Sequence, residues 1–346
     1  MKAQLIAAIA LASLTASAQS VGDKILDDFR HETRLSGYII GKATATDQHG
    51  KIPLDFDLRL VRASVAGRVM DVAYTFQMEY EGVFSSTTQK GPHIVDAWME
   101  WDKYRCGRIK FGQFKRSFTF ENPMNPWAVD FGTYSQTVTK LAGMSDRVGE
   151  HSSGGRDIGI QLQGDLFPIA TDRHTLLHYQ VGVFNGQGIN HGDRNRQKDI
   201  IGGAWLSPIK GLDIAWFGWH GNYTDGTTTV KRNRWALSAR YTGDHFYART
   251  EYIRSHGGKI SNPDATLADG WYAMVGYKRP RWQTAVKWDA YRDTGHWASV
   301  HHIYGATFTY HFCTNLQLQA NYGFHDDRLS SDRYYQSFDI QAYLKF

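Results

Sequence analysis

Nowhere in these 346 residues is there a run of the roughly 20 apolar residues that a membrane helix needs, so an α-helical membrane protein is excluded. Cysteine is nearly absent. One disulfide between Cys106 and Cys313 is the most an oxidising compartment would allow, and neither residue has neighbours at zinc-ligand spacing. Charge of one sign is also missing: 39 basic residues face 34 acidic ones, a formal net charge of +5, too weak to argue for nucleic acid. The 15 His, among them His191, His301, His302 and His311, lack any spacing that would aim several ligands at one metal ion. Gly154-Gly155 and Gly202-Gly203 are not phosphate-loop patterns, and no Ser and His form a recognisable nucleophile motif. No cofactor is therefore expected. Strands do not repeat in fours, which argues against a soluble propeller.

What is present begins with an export signal over residues 1–18. Lys2 precedes an apolar stretch from Leu5 to Leu14, and Ala16-Ser17-Ala18 supplies a small-residue cleavage site before Gln19. No Cys follows that site, which argues against a lipid anchor. Residues 19–346 are then expected to form a single domain. Mean hydropathy is negative, but a barrel with a watery interior has the same average because half of each strand is polar. Aromatic content is high, at 14% with 19 Tyr and 11 Trp, and such residues collect at membrane-water boundaries.

The pattern that decides the fold class is alternation. At the end of the chain Phe338, Ile340, Ala342, Leu344 and Phe346 share one side of an extended segment, while Ser337, Asp339, Gln341, Tyr343 and Lys345 share the other. A last strand with one dry face, ending on an aromatic, is what a transmembrane β-barrel needs at its closing seam. The same period runs through Val72-Tyr74-Phe76-Met78-Tyr80, Trp235-Leu237-Ala239-Tyr241, Trp282-Thr284-Val286-Trp288 and Leu316-Leu318-Ala320-Tyr322. Filling the intervals predicts strands near 34–42, 54–68, 72–84, 93–103, 107–115, 156–166, 175–185, 197–207, 211–221, 231–242, 245–255, 270–279, 281–292, 300–312, 314–325 and 334–346. The expected fold is all-β, a transmembrane antiparallel barrel of about 16 strands.

Connections alternate between tight turns and longer links, as a barrel with both termini on the periplasmic side requires. Phe167 to His174 is the exception, long for a periplasmic turn. Cys106 and Cys313 fall in two such turns, far apart along the sheet, and two unpaired thiols are expected. Strand two breaks parity, since Phe56, Leu58 and Leu60 share a face that Val61, Ala63 and Val65 continue; a bulge near Leu60 would restore the register. One link stands apart: residues 116–155, after the fifth strand. Structureless loops of that length are usually functional.

Several segments carry a family likeness. Phe56-Asp57-Leu58-Arg59-Leu60-Val61-Arg62 followed by Gly67, then Gly112-Gln113-Phe114-Lys115-Arg116-Ser117-Phe118, Arg156-Asp157-Ile158-Gly159-Ile160-Gln161-Leu162 and Gln180-Val181-Gly182-Val183-Phe184-Asn185-Gly186 together resemble the phosphate-selective porin O and P family. The resemblance runs across essentially the whole chain after the signal. It implies a sixteen-stranded barrel in a Gram-negative outer membrane, in contact with lipid and lipopolysaccharide and usually a homotrimer. It also implies that 116–155 folds inward as a constriction loop whose basic side chains favour small anionic or polar solutes, without any catalytic step. The phosphate-specific members use a ladder of basic residues at two-residue spacing, which is not found here. A general or moderately anion-preferring channel is therefore expected alongside a phosphate-specific one.

A pore discriminates ions by the charge at its narrowest point, where low-dielectric walls focus the field. The candidates are Lys115, Arg116, Lys140, Arg147 and Arg156, in or bordering the long loop, with Arg62 and Lys110 on the wall at lumen-facing parity. Each of these equally suits pairing with Asp96, Glu100, Glu121 or Asp157 to brace the loop. Inward parity also places Glu79, Glu81, Glu251, Asp289 and Asp339 beside Arg234, Arg240, Arg249 and Lys287, so the fields partly cancel. Trp98, Phe184 and Trp219 are either a stacked track suited to sugars or girdle and loop packing. A sugar-selective channel and an outer-membrane barrel enzyme are the alternatives.

Overall fold

The computed structural model describes residues 32–51, 53–81, 91–151 and 153–346, together with Lys24, Asp27 and Asp28. The expected export signal, and most of the expected link around 85–92, lie outside the described residues. The strands are β1 (Arg34–Thr46), β2 (Leu54–Val69), β3 (Val72–Glu81), β4 (His93–Tyr104), β5 (Gly107–Lys115), β6 (Arg156–Pro168), β7 (Thr175–Phe184), β8 (Asp199–Ile209) and β9 (Leu212–His220). They continue as β10 (Asn222–Asp225), β11 (Thr228–Lys231), β12 (Asn233–Thr242), β13 (Phe246–His256), β14 (Leu267–Lys278), β15 (Trp282–Arg292), β16 (Val300–Cys313), β17 (Leu316–Asp327) and β18 (Tyr334–Lys345). All but β10 and β11 form one closed antiparallel barrel of sixteen strands, with β1 hydrogen-bonded to both β2 and β18. The small β10-β11 pair stands alone in the link between β9 and β12.

Alternation sorts each strand between two environments. On β12, Trp235, Leu237 and Tyr241 point outward while Arg234, Ala236 and Ser238 are buried inside. On β17, Leu316, Leu318, Tyr322 and Phe324 are exposed and Gln317, Gln319 and Asn321 are buried. A soluble protein does not bury glutamine and expose leucine in step around a closed sheet; lipid outside and a polar interior account for both. Exposed aromatics crown the ends of the apolar belt, with Trp101, Tyr104, Phe246 and Phe312 toward the short-turn rim and Trp271, Tyr304, Phe324 and Tyr334 toward the long-loop rim.

The parity break in β2 is resolved by a bulge. Ile40 faces Leu60 but Gly41 faces Leu58, so Arg59 is the extra residue, and its guanidinium donates to Gln341 Oε1 at 2.8 Å inside the barrel. The seam closes where Gly37 and Phe346 exchange two backbone hydrogen bonds of 2.9 Å. A Cβ on Gly37 would sit 2.6 Å from the Phe346 ring, so only glycine admits the last aromatic there.

Residues 116–155 leave the wall through a neck, Arg116 N donating to Gly155 O at 2.8 Å, and fold into the barrel. Phe118 and Phe120 pack edge-on against Phe217, Trp219 and Trp205 of the inner wall. Trp127 crosses to the far side and meets Tyr343 and Tyr38. A short helix α1 (Gln136–Leu141) starts at Ser135, whose Oγ accepts from Val138 N. Its first amide, on Gln136, donates 2.8 Å to Asp289 of β15. The turn between β6 and β7 is the long one anticipated, closed by Ile169 N donating to His174 O at 2.8 Å.

Cys106 and Cys313 are free and exposed. Strands β18, β1, β2 and β3 separate the hairpins that carry them. At roughly 4.8 Å per strand, that gap is far beyond the reach of a disulfide. Both thiols of the folded protein should therefore react with maleimide without prior reduction, and recovery of fewer than two labels per chain would contradict this placement.

Candidate pore lining

Between the loop and the wall of β2 to β8 lies a cavity of about 440 Å³. Arg62, Lys110, Lys115 and Arg156 line it, and so does Arg240 from β12; among the described residues Asp96 is the one carboxylate in its lining. Each cation is held differently. Arg62 Nε donates to Glu79 Oε2 at 2.6 Å on the neighbouring strand. Arg156 forks onto Asp96 at 3.0 and 2.8 Å and also reaches Gly154 O. Lys110 lies 3.3 Å from Glu100, with its ammonium 3.9 Å from the centre of the Trp98 ring. Lys115 is set apart because its three donors go to neutral oxygens, Asn122 O at 2.8 Å, Met124 O at 2.7 Å and Tyr134 OH at 2.8 Å. Among the described residues no carboxylate is hydrogen-bonded to it.

The other three sequence candidates lie elsewhere. Arg116 is wholly buried between Glu150 and Asp157, both at 3.0 Å. Arg147 spans to the link after β13 and beyond, donating to Gly257 O at 2.8 Å, Ala265 O at 3.0 Å and Asp293 O at 3.2 Å. Lys140 on α1 is exposed on a separate cavity of about 230 Å³ across the loop, beside Lys287, Asp289 and Asp339. Of the three aromatics considered for a stacked track, Trp98 lines the main cavity, whereas Phe184 and Trp219 are buried in packing between wall and loop.

A lower cavity of about 490 Å³ lies toward the short-turn rim, near Thr175, Gly211 and Thr242. It adjoins the main cavity, and Met124, His178, Trp205 and Arg240 line both.

Two buried networks fix the loop against the wall, and each includes a carboxylate considered as a brace from the sequence, Asp157 in the first and Glu121 in the second. In the first, Glu150 of the loop bridges Arg116 and Arg232, and Arg232 also holds Asp199 at 2.7 Å. Trp219 Nε1 donates to the same Asp199 carboxylate at 2.8 Å. A Cβ on Gly143 would lie 2.0 Å from Arg116 Nη1, and its φ of +81° is left-handed, so glycine is required on both counts. In the second, Glu251 of β13 accepts the amides of Phe120 and Glu121 at 3.1 and 2.8 Å. Its neighbour Arg249 binds Glu121 at 3.2 Å and Asp130 at 3.1 Å. A further loop contact pairs Asp146 with Arg234; burial pushes the Asp146 carboxyl up, but the guanidinium more than reverses this and holds it down at about 2. That pair therefore contributes stability above the ordinary carboxylate range and loses it only as the pH falls toward 2.

No family model matches this chain, and no curated protein matches it by sequence. Solved structures do. OmpF of Salmonella typhi, solved in complex with daunomycin, is similar at a TM-score of 0.66 and 13% identity, covering 91% of this chain and 97% of that one. An anion-selective porin from Comamonas acidovorans is similar at 0.65 and 12% identity, over 91% of this chain and 99% of that one. The trimer form of OmpT, an outer membrane protein of Vibrio cholerae, is similar at 0.62 and 14%, over the same shares. At such identities the likeness is one of fold: this chain is a closed sixteen-stranded β-barrel with an apolar outer belt, an architecture it shares with these outer-membrane proteins.

Proposed function

We propose that this barrel is a porin through which small hydrophilic solutes diffuse passively, with a preference for anions, and that residues 116–155 are its constriction loop. The observation that carries the proposal is the cavity beside that loop, whose described lining brings together Arg62, Lys110, Lys115, Arg156 and Arg240 with the single carboxylate of Asp96. Ions in a passage this narrow stay within a Debye length of about 8 Å of its walls, so bulk salt does not screen the lining away. Pairing of Arg62, Lys110, Arg156 and Arg240 with Glu79, Glu100, Asp96 and Asp213 weakens the field, which favours a moderate rather than a strict preference. Resemblance to the phosphate-selective porin O and P family supports the same reading, and phosphate is one anion of the right kind. The fold shared with a trimeric outer-membrane protein supports assembly of three copies in the membrane.

Planar-bilayer recording across a potassium chloride gradient tests it. The wild-type reversal potential is expected on the chloride side of zero. Lys110→Glu, which turns a cation beside Glu100 into a second carboxylate, should move it several millivolts or more toward potassium. A wild-type potential on the potassium side would end the anion preference, and no shift in the variant would place Lys110 off the conducting path.

A further inference from the structure

Four residues line both adjoining cavities, and they bring a thioether, an imidazole, an indole and a guanidinium to one place. We infer that Met124, His178, Trp205 and Arg240 form the selecting throat of the pathway, and that it favours anions carrying an apolar, planar body, such as aryl carboxylates, over inorganic phosphate. This rests on the porin reading and names the solute class within it.

Arg240 is the open donor of the throat. Its side chain is 41% exposed inside the barrel and is tied to Asp213 only through Nε, at 2.6 Å. Among the described residues neither of its Nη atoms has an acceptor, so a two-donor edge is presented to whatever passes. The other lining guanidiniums differ, since Arg156 uses all three nitrogens on Asp96 and Gly154. Aromatic rings hold Arg240 in place: it lies 4.3 Å from the centre of Phe120, and Trp205 is within 6.0 Å. Beside it the His178 imidazole stacks on Trp205, centroids 3.8 Å apart and planes 15° from parallel, and is fixed by Asp165 at 2.7 Å from Nδ1. Met124, on the loop, is partly exposed and supplies a deformable apolar surface.

Phosphate is strongly hydrated, and a site that offers one forked cation among three ring or thioether surfaces replaces little of that hydration. An aryl carboxylate needs only one bidentate partner, and its ring gains by leaving water for those surfaces. The nearby carboxylates do not reverse this, because Asp213 is engaged by Arg240 and Ser207, and Asp165 by Arg108 and His178.

Benzoate, acetate and phosphate added in turn to the purified full chain in a planar bilayer test the inference, with block read as the concentration that halves the open current. Benzoate should block at a concentration about tenfold or more below either of the others, and Arg240→Gln should raise that concentration about tenfold. Trp205→Leu, which keeps an apolar side chain but removes the stack, should weaken benzoate block while leaving acetate block where it was. Equal block by benzoate and acetate, stronger block by phosphate, or benzoate block indifferent to both substitutions would overturn the inference. Each of those results is compatible with a reversal potential on the chloride side, so the inference fails separately from the anion preference; a potential on the potassium side fails the latter on its own.

Discussion

Glu150→Leu should release the loop and raise single-channel conductance. Glu150 takes Arg116 Nη2 at 3.0 Å on one oxygen and Arg232 on the other, and all three side chains are wholly buried. With leucine there, two guanidiniums face each other under Trp219 with only Asp157 and Asp199 left to neutralise them. Removing one member of a buried ionic cluster costs about 3 to 5 kcal/mol, here because the Arg116 and Arg232 nitrogens that donated to Glu150 are left buried without that acceptor. The barrel wall does not depend on this cluster, since its ladders are complete without it. The cost therefore falls on the docked state of residues 116–155. The expected readouts are a larger and noisier single-channel current and new protease cleavage within 116–155, in a barrel that still resists heating in detergent. Unchanged conductance with an uncut loop would show that Glu251 and its neighbours hold the loop alone.

Val286→Arg should destabilise the folded barrel by about 2 to 4 kcal/mol in lipid, the cost of an arginine on the lipid face near the bilayer midplane. Val286 lies one residue from the middle of β15, is 56% exposed, and is flanked in register by Val275 and Ala306. Denaturant unfolding in liposomes reads the difference. A cost under a few tenths of a kcal/mol would mean that this face meets water, and the inside-out assignment of the whole sheet would fall with it.

The wall was legible in the sequence because lipid on one side and a polar lumen on the other impose a strict period of two. β5 is found where alternation places it, at Gly107–Lys115, and the bulge at Arg59 was visible as a break in parity. Legibility fails where both faces are covered. β14 begins at Leu267 rather than at residue 270, because Ala268, Asp269 and Gly270 are all buried and no alternation survives there. A Cβ on Gly270 would meet Thr137 of α1 at 2.5 Å, which shows how closely the loop is applied to that strand. The β10-β11 hairpin was missed among polar residues, although Gly226, at φ +57° in its two-residue turn, was an available signal. The roles of the basic residues were the least legible. Lys115 and Arg116 are adjacent, yet one lines the cavity and the other is sealed against Glu150 and Asp157. Asp157 was considered from the sequence as a brace, but Glu150, which closes the other side of Arg116, was not, because a local pattern does not show which distant carboxylate folds against which cation.

The central claim is a water path inside the barrel between the loop and the wall of β2 to β8, with lipid outside. Its most direct measurement uses a chain with Cys106→Ser and Cys313→Ser, carrying either Thr75→Cys on the cavity lining or Val286→Cys on the outer face. A charged, membrane-impermeant thiol reagent should modify the first in a conducting bilayer and lower its current, and leave the second unmodified with its current unchanged. Modification at residue 286 but not at residue 75, or modification at residue 75 without any change in current, would contradict the account.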